Sequence, residues 1–343
     1  MDQPKIAVFA LGGTIATQPG RSAGLIPTLT GEDLVATVPE LAALAALQVT
    51  TFRQVPGPDL GFADLEALAA AIENAASNGA DGIVVTQGTD TIEETAFVLD
   101  RIVASDIPVV VTGAMRSPVA PGADGPANLL AAVRVAASPA ARGLGTLVVL
   151  DDEIHAARFV TKAHTSKPSA FRSSPFGPVG FVVEQRARIV AHVNRTPAIV
   201  PCAVPRRHRV ALVTMGLDDD GALIELAASQ GYAGIVIEGY GGGHVSSAAA
   251  QVVGRVTPNI PVVIASRTGA GEVLSNTYGA PGSEIDLAAR GAIRAGWLDG
   301  IKARILLTLL LRHEAKDIDG HFAMWGGGTA ASAARQPERT PSR

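Results

Sequence analysis

Two turns in this sequence carry hydroxyl and carboxyl side chains that could take part in chemistry. An apolar run ends in GGT at 12–14, where two glycines permit a tight turn and leave Thr14 at the strand end. A second apolar run leads into TQGTDTIEE at 86–94, which places Thr89 and Asp90 at the mouth of a predicted helix, where anions are favoured. Each turn alone is compatible with an ordinary βα connection or a helix cap. Capping needs only one such side chain, however, so the run of Thr, Asp and Thr suggests a site.

The elements that must position these turns alternate between strands and helices. This alternation predicts a mainly parallel sheet covered on both faces. In such sheets ligands bind beyond the carboxyl ends of the strands, where these turns lie. Strands are predicted at 6–11, 83–85, 107–112, 146–150, 209–213, 235–238 and 261–265, and helices from Asp64, from a capping box at Thr91–Glu94, at 128–137, 222–229 and 246–253 and, as the final helix, around 306–311.

Two α/β domains are predicted, a larger N-terminal domain with a mainly parallel sheet and a smaller C-terminal domain. The length of 343 residues suits two domains of medium size. Between them the alternating pattern breaks in a stretch rich in proline and basic residues. We assign residues 1–190 to the N-terminal domain, 191–208 to a linker, 209–328 to the C-terminal domain and 329–343 to a disordered tail.

Composition excludes several classes of protein. A formal net charge of -4 gives no basic field for nucleic acid or anionic lipid. No apolar stretch of about 20 residues could span a bilayer, and the N-terminus lacks the features of a signal peptide. Cys202 is the only cysteine, and the histidines show no i, i+4 pairing, so we predict no metal site. We expect a soluble, cytoplasmic protein that binds neither nucleic acid nor membrane.

The two turns and four further motifs resemble the bacterial L-asparaginase/glutaminase family of the asparaginase 1 type. The motifs are GGTIA at 12–16, TQGTDTIEET at 86–95, VTGAMR at 111–116, ADGPAN at 123–128, RFVTK at 158–162 and KAR at 302–304. They cover almost the whole chain in the family's order. The resemblance implies a two-domain asparaginase-like fold and hydrolysis of a small primary amide, with L-asparagine converted to L-aspartate and ammonia as the default reaction. It implies no cofactor.

The resemblance also implies roles for individual residues. Thr14 matches the nucleophilic threonine, while Thr89, Asp90 and Lys162 match a group in which the lysine and the aspartate polarise a threonine. A hydroxyl is a poor nucleophile until a base or a nearby charge lowers its pKa. Backbone N–H groups near Gly88 and Thr89 would stabilise the oxyanion, typically by about 3–4 kcal/mol. Ammonia then leaves, and water hydrolyses the threonine acyl-enzyme.

Three residues are expected to act in the active site of a neighbouring subunit. Glu284 matches a glutamate that family members contribute across an interface, and His244 lies near a position where they carry a polar amide. The resemblance implies a homotetramer built from two intimate dimers. The family's lid loop carries a tyrosine, but the matching residues 17–30 contain none. We hypothesise that Tyr278 arrives with Glu284 and replaces it, with an ordinary loop tyrosine as the alternative.

The substrate-binding segment departs from the family pattern. Where relatives have Ser-Gln-Asp, this chain has Gly57-Pro58-Asp59, so the side chains that hold the α-carboxylate and α-amino groups are replaced and only Asp59 is kept. Pro58 also lacks a backbone N–H. A site built from such donors discriminates strongly, so their loss bears on the substrate. The predicted substrate-binding residues are Gly57, Pro58, Asp59, Gly88, Thr89 and Asp90.

Two other functions and a competing motif are kept as alternatives. A diverged amidase for a different small amide would fit the replacement at 57–58, and a small-molecule sensor could use a catalytically dead scaffold of this kind. The two intact threonine centres argue against a sensor. A G-x-S-x-G motif at 20–24 matches the nucleophile elbow of α/β-hydrolases. It is followed by a predicted loop instead of a helix, which makes that function unfavourable.

Overall fold

The chain forms two compact units in a computed structural model, Met1–Val200 and Pro201–Arg343. Each unit has its own parallel sheet. This confirms the predicted α/β class, with a larger N-terminal sheet and a smaller C-terminal one. The limits proposed for the linker, 191–208, remain a prediction.

The structure describes residues 3–19, 25–27 and 29–326. For 17–19 and 25–27 it describes the backbone alone. The G-x-S-x-G motif at 20–24 and the predicted tail at 329–343 lie outside the described residues.

The first unit is built on an eight-stranded sheet. The described strands of the whole unit, eight of which form this sheet, are β1 (Lys5–Ala10), β2 (Thr17–Pro19), β3 (Leu25–Pro27), β4 (Ala46–Thr51), β5 (Gly82–Thr86), β6 (Val109–Thr112), β7 (Thr146–Leu150), β8 (Glu153–Ala156), β9 (Thr161–Lys162), β10 (Phe171–Arg172), β11 (Gly180–Val183) and β12 (Arg186–Ile189). The sheet has the order β12-β11-β8-β7-β6-β5-β1-β4. Strands β4, β1, β5, β6 and β7 are parallel, and β8, β11 and β12 extend the sheet in antiparallel fashion. Two antiparallel hairpins, β2–β3 and β9–β10, stand apart from it.

Helices cover the central strands. They are α1 (Gly31–Ala36), α2 (Leu41–Leu44), α3 (Phe62–Ser77), α4 (Ile92–Ile102) and α5 (Gly125–Ala136). Successive strand residues point to opposite faces, and both Val84 and Val85 are fully buried, so both faces are covered. On one face Leu129 of α5 packs in a cluster with Val84 and Val110. These all-apolar strands are typical of a parallel sheet buried on both sides.

Helix α4 begins where the sequence predicts, but the predicted capping box is wrong. The side chain of Thr91 makes no capping hydrogen bond. Residues 89–91 instead form a single 3-10 turn in front of α4. The hydroxyl of Thr91 accepts a hydrogen bond from Gln87 Nε2 at 3.3 Å. A hydrogen bond from Gln87, four residues earlier in the same segment, thus occupies the hydroxyl that the predicted cap would use.

The second unit holds a four-stranded parallel sheet. Its strands, in sheet order, are β13 (Val210–Thr214), β14 (Gly234–Gly239), β15 (Val262–Ser266) and β16 (Ile293–Arg294), and its helices are α6 (Ala222–Ser229), α7 (Ser247–Val256), α8 (Glu284–Ala289), α9 (Gly300–Arg312) and α10 (Ile318–Trp325). The predicted final helix at 306–311 is the second half of α9, and α10 follows it. That prediction missed α10, whose start is capped by Asp317. Within the described part of the chain, no helix is long and apolar enough to cross a membrane.

Candidate active site

Two glycine turns of the first unit touch each other at the carboxyl ends of adjacent strands. Because β1 and β5 are parallel neighbours, the turns that follow them leave the same edge of the sheet. Gly13 has φ +83°, and a Cβ at this position would lie 1.9 Å from the nitrogen of Gly88. Only glycine permits this approach. It brings together the backbones that carry Thr14 and Thr89, the two threonines predicted to be catalytic.

The segment at 57–59 packs against these turns and forms a third side of the candidate site. It forms a single 3-10 turn, in which Gly57 is buried while Pro58 and Asp59 are exposed. A Cβ on Gly57 would lie 2.7 Å from the hydroxyl oxygen of Thr91 and 3.4 Å from the carbonyl oxygen of Gly88. The space that a side chain at position 57 would occupy is therefore taken by Thr91. A side chain added at position 57 would have to displace the hydroxyl of Thr91.

The motifs at 111–116 and 123–128 are joined to each other by hydrogen bonds next to the candidate site. The carboxylate of Asp124 accepts hydrogen bonds from the N–H groups of Met115 at 2.9 Å and Arg116 at 2.8 Å. Asn128 donates to the carbonyl oxygen of Gly113 at 2.9 Å. These motifs therefore fix the loop after β6, which lies against the Thr89 turn.

Lys162 meets the Thr89 turn directly. Its Nζ lies 3.0 Å from Thr89 Oγ1 and 2.5 Å from Asp90 Oδ1, as the resemblance implied. The Lys162 side chain is 14% exposed and that of Asp90 is 69% exposed. Thr89 itself is buried. We call Thr89, Asp90 and Lys162 the lysine group. In it a cation touches a hydroxyl, which favours the alkoxide form of the threonine.

The backbone of Lys162 is also held in place by hydrogen bonds. Lys162 lies in β9, which pairs with β10 in an antiparallel hairpin. Its N–H donates to Glu93 Oε2 of helix α4 at 3.2 Å. Glu93 is buried, and the sequence analysis gave it no role. Since α4 starts at the Thr89 turn, Glu93 ties both parts of the lysine group to one helix.

In the second unit, Glu284 lies at the centre of a separate group. The Glu284 side chain is 0% exposed, and its Oε2 lies 2.9 Å from His244 Nε2. Its Oε1 accepts hydrogen bonds from the N–H groups of Thr277 at 2.6 Å and Tyr278 at 2.5 Å. Burial alone raises the pKa of Glu284, but the hydrogen bonds from backbone N–H groups and from His244 outweigh it and hold the pKa below the usual range. The carboxylate is therefore ionised and fully engaged.

The rings around Glu284 are more accessible than the carboxylate. The His244 side chain is 28% exposed, and Tyr278 is exposed. Their ring centroids lie 5.3 Å apart in an edge-to-face arrangement. We call His244, Tyr278 and Glu284 the histidine group. The three residues predicted to serve a neighbouring subunit thus form one cluster, in which an imidazole and a phenol face outward.

Comparison with known proteins places this geometry in a family. Residues 5–195 match the family model for "Asparaginase, N-terminal", and residues 209–320 match that for "Glutaminase/Asparaginase C-terminal domain". L-asparaginase 2 of Bacillus subtilis is 36% identical over 333 residues, which are 94% of this chain and 86% of the relative. A probable L-asparaginase of Deinococcus radiodurans is 37% identical over 315 residues, which are 90% of this chain and 93% of the relative.

A solved structure agrees with the sequence matches. The crystal structure of a probable cytoplasmic L-asparaginase from Campylobacter jejuni matches with a TM-score of 0.83 at 29% identity, over 94% of this chain and 100% of that chain. The resemblance found in the sequence is thereby confirmed over both units. This chain belongs to the asparaginase family of amidohydrolases.

Proposed function

We propose that the protein hydrolyses L-asparagine to L-aspartate and ammonia through a threonine acyl-enzyme. The observation that carries this proposal is the lysine group, in which Lys162 Nζ contacts Thr89 Oγ1 at 3.0 Å and Asp90 Oδ1 at 2.5 Å. Relatives that cover most of the chain bear the name L-asparaginase. A sensor has no need for a lysine held against a threonine in this way.

The proposed reaction uses two threonines on touching turns. Thr14 Oγ1 bonds to the carboxamide carbon, and N–H groups near Gly88 and Thr89 stabilise the tetrahedral oxyanion. The C–N bond then breaks, and the nitrogen takes up the threonine proton and leaves as ammonia. Water adds to the resulting ester, releases aspartate and returns a proton to Thr14. The positive charge of Lys162 lowers the cost of deprotonating Thr89, which we assign to activation of the bound substrate.

The substrate end of the site differs from that of relatives with Ser-Gln-Asp. Gly57 and Pro58 offer no side-chain donor, whereas Thr91 places a hydroxyl beside Gly57. We assign Thr91 and Asp59 to the polar head of the substrate. A diverged amidase for an amide without the α-amino group is the second candidate, favoured by the loss of donors at 57–58.

We further propose that the histidine group faces the active site of a neighbouring subunit in a tetramer of two intimate dimers. Because both oxygens of Glu284 are engaged within its own chain, direct contacts to substrate would come from His244 and Tyr278. Glu284 would then orient the imidazole. A cytoplasmic location stays a prediction, supported by the description of the Campylobacter relative as cytoplasmic.

The first experiment measures ammonia release from L-asparagine, D-asparagine, L-glutamine and succinamic acid. We expect turnover of L-asparagine that falls at least about 10³-fold in both Thr14→Ala and Thr89→Val. Thr50→Val, which changes an exposed threonine on β4, serves as the matched control and should keep full activity. Turnover of succinamic acid alone would favour the diverged amidase. Lack of turnover with every amide would overturn the proposal.

Subunit sharing is tested by complementation. Thr89→Val and His244→Ala chains, each inactive alone, should regain activity after they are dissociated, mixed and reassociated, because a hybrid oligomer contains an intact pairing. Absence of recovery in verified hybrids would contradict a shared site.

Tyr278→Phe, with Tyr232→Phe as its control, tests whether the phenol hydroxyl of Tyr278 takes part in the reaction. Full activity of Tyr278→Phe would exclude its role as the replacement for the lid tyrosine.

A further inference from the structure

A small cavity in the first unit lies away from the candidate active site. It is bounded by the last turns of α4, the start of β7 and the segments 156–158 and 193–195. Its volume is about 10 Å³, which is room for a single particle of about the size of a water molecule. Polyatomic ligands such as phosphate are excluded by size.

The walls of this cavity carry more positive than negative charge. Arg101, Arg158 and Arg195 line it together with one carboxylate, that of Asp100. Asp100 pairs with Arg101, and its other oxygen accepts a hydrogen bond from the N–H of Thr146 at 3.0 Å. Arg195 lies 3.2 Å from Asp106, so its charge is compensated there. Among the described residues, no carboxylate forms an ion pair with Arg158, which interacts with Asp100 only at longer range.

The guanidinium groups of Arg101 and Arg158 approach a common oxygen. Thr196 Oγ1 accepts a hydrogen bond from Arg101 Nη1 at 2.5 Å and from Arg158 Nη2 at 3.4 Å. Nε of Arg158 is buried and has no hydrogen-bond partner among the described residues. Burial lowers the pKa of Arg158, repulsion from Arg101 lowers it further, and Asp100 opposes both. Two like charges held this closely are costly, and the single carboxylate of Asp100, which pairs with Arg101, compensates only one of them.

We propose that this cavity binds one monatomic anion, chloride under ordinary conditions, held by Arg158 and Arg101, whose guanidinium groups share Thr196 Oγ1. The cavity has room for one small particle, and the excess of guanidinium groups supplies the positive charge that favours an anion over a water molecule. Nε–H of Arg158 is the donor that the anion would satisfy. The site lies at the end of α4 opposite to the Thr89 turn, and Arg158 shares the RFVTK motif with Lys162. Anion binding would therefore steady the segment that carries Lys162.

The test measures thermal unfolding of the full chain in potassium chloride and in potassium gluconate at equal ionic strength. Gluconate is too large for the cavity. Tm should rise with chloride along a saturation curve, by about 5 °C at a hundredfold excess over half-saturation. Arg158→Met should abolish this rise, while Arg188→Met, at an exposed arginine of β12, should retain it. If Arg158→Met does not fold, Thr196→Val replaces it and should weaken chloride binding.

A second measurement locates the ion. Crystals grown in bromide should give an anomalous peak between Arg101 and Arg158. Equal Tm values in chloride and gluconate, or a bromide-soaked crystal without this peak, would overturn the proposal. Neither readout depends on amide hydrolysis, so failure here is distinguishable from failure of the proposed function.

Discussion

The lysine group and the histidine group each contain an ion pair. The member of the pair that is shielded from water is the cation in the first group and the carboxylate in the second. In the lysine group the cation is the shielded member, with Lys162 14% exposed, and its carboxylate partner Asp90 is 69% exposed. In the histidine group the carboxylate is shielded, with Glu284 0% exposed, and its partner His244 is 28% exposed. The shielded residue of each ion pair is fixed by surrounding hydrogen bonds. The more exposed residue is the one accessible to a ligand or to a neighbouring subunit.

This reversal separates two kinds of sensitivity to mutation. A shielded charge that loses its partners leaves buried polar groups unsatisfied, which costs stability. An exposed charge is screened by water, so its loss costs little stability and acts mainly on chemistry. The groups should therefore respond differently to substitutions of the same chemical type.

The largest expected effect is on turnover when the shielded cation is removed. Lys162→Met should lower kcat about 10³-fold with little change in KM, because the methionine keeps the packing but loses the charge beside Thr89. Steady-state ammonia release checks this. Lys167→Met, at an exposed lysine of the same segment, is the control and should behave like the unaltered protein. A loss below tenfold would remove Lys162 from the mechanism.

A pH change should weaken the first unit through a buried histidine. His155 Nδ1 lies 2.9 Å from Ser173 Oγ, next to the strand that pairs with Lys162. Burial lowers the pKa of His155 to about 4, although Glu153 lies 3.2 Å from its other nitrogen. The unfolded chain, with a histidine pKa near 6.5, binds the proton more readily, so stability is full above that pH and is lost as pH falls towards 4.

Urea unfolding at pH 7.5 and 4.5 measures this loss. The contribution of His155 amounts to about 2–3 kcal/mol between these two values. His155→Phe should reduce the difference by that amount, whereas His164→Phe, at an exposed histidine, should leave it unchanged. An unchanged pH dependence in His155→Phe would refute the assignment.

Replacing each carboxylate by its amide sharpens the comparison between the groups. Glu284→Gln should lower the free energy of unfolding by about 2 kcal/mol, because an amide cannot satisfy the backbone donors and His244 together. Asp90→Asn should change it by less than about 0.5 kcal/mol while lowering turnover. Urea titrations of both variants, with Glu272→Gln as an exposed control, measure the difference. Equal losses of unfolding free energy in Glu284→Gln and Asp90→Asn would contradict the proposed difference between the two groups.

The smallest expected effect concerns the glycine that faces Thr91. Gly57→Ser should lower kcat/KM about tenfold, because its Cβ would lie 2.7 Å from Thr91 Oγ1 and that hydroxyl must move. Thr91→Ala in the same chain removes a hydroxyl assigned to the substrate, so the rescue is measured as stability: by opening space it should restore part of the free energy of unfolding that Gly57→Ser loses. Gly216→Ser, where no atom lies within 4 Å of the added Cβ, is the control. If the double variant is no better than Gly57→Ser, the steric explanation is wrong.

Local patterns predicted the fold well and marked the two glycine turns that the structure brings into contact. Runs of Val and Ile mark the buried strands, and the glycines at 12–13 and 88 mark the turns, because both signals depend on the backbone of one short segment. The antiparallel strands β8, β11 and β12 were missed, since each has only four residues and none contains a long apolar run. Helix α10 was also missed, because no helical pattern was assigned after residue 311.

What the sequence could not predict depends on contacts between distant segments. Thr91 fits a capping box, but its hydroxyl instead contacts Gln87 and faces Gly57. The burial of Glu284 depends on His244 and on the loop at 277–278, which no local pattern connects. The role of Glu93 emerges only once Lys162 is brought against α4.

The contact between Gly13 and Gly88 has a consequence for the time course of folding. The helices can form early from local interactions, whereas these two glycines lie far apart in the chain and must close the long loop between them. Catalytic competence therefore depends on a late event. On refolding from urea, ammonia release should return more slowly than the helical circular dichroism signal. The rate at which activity returns would then measure the rate of the last step of folding.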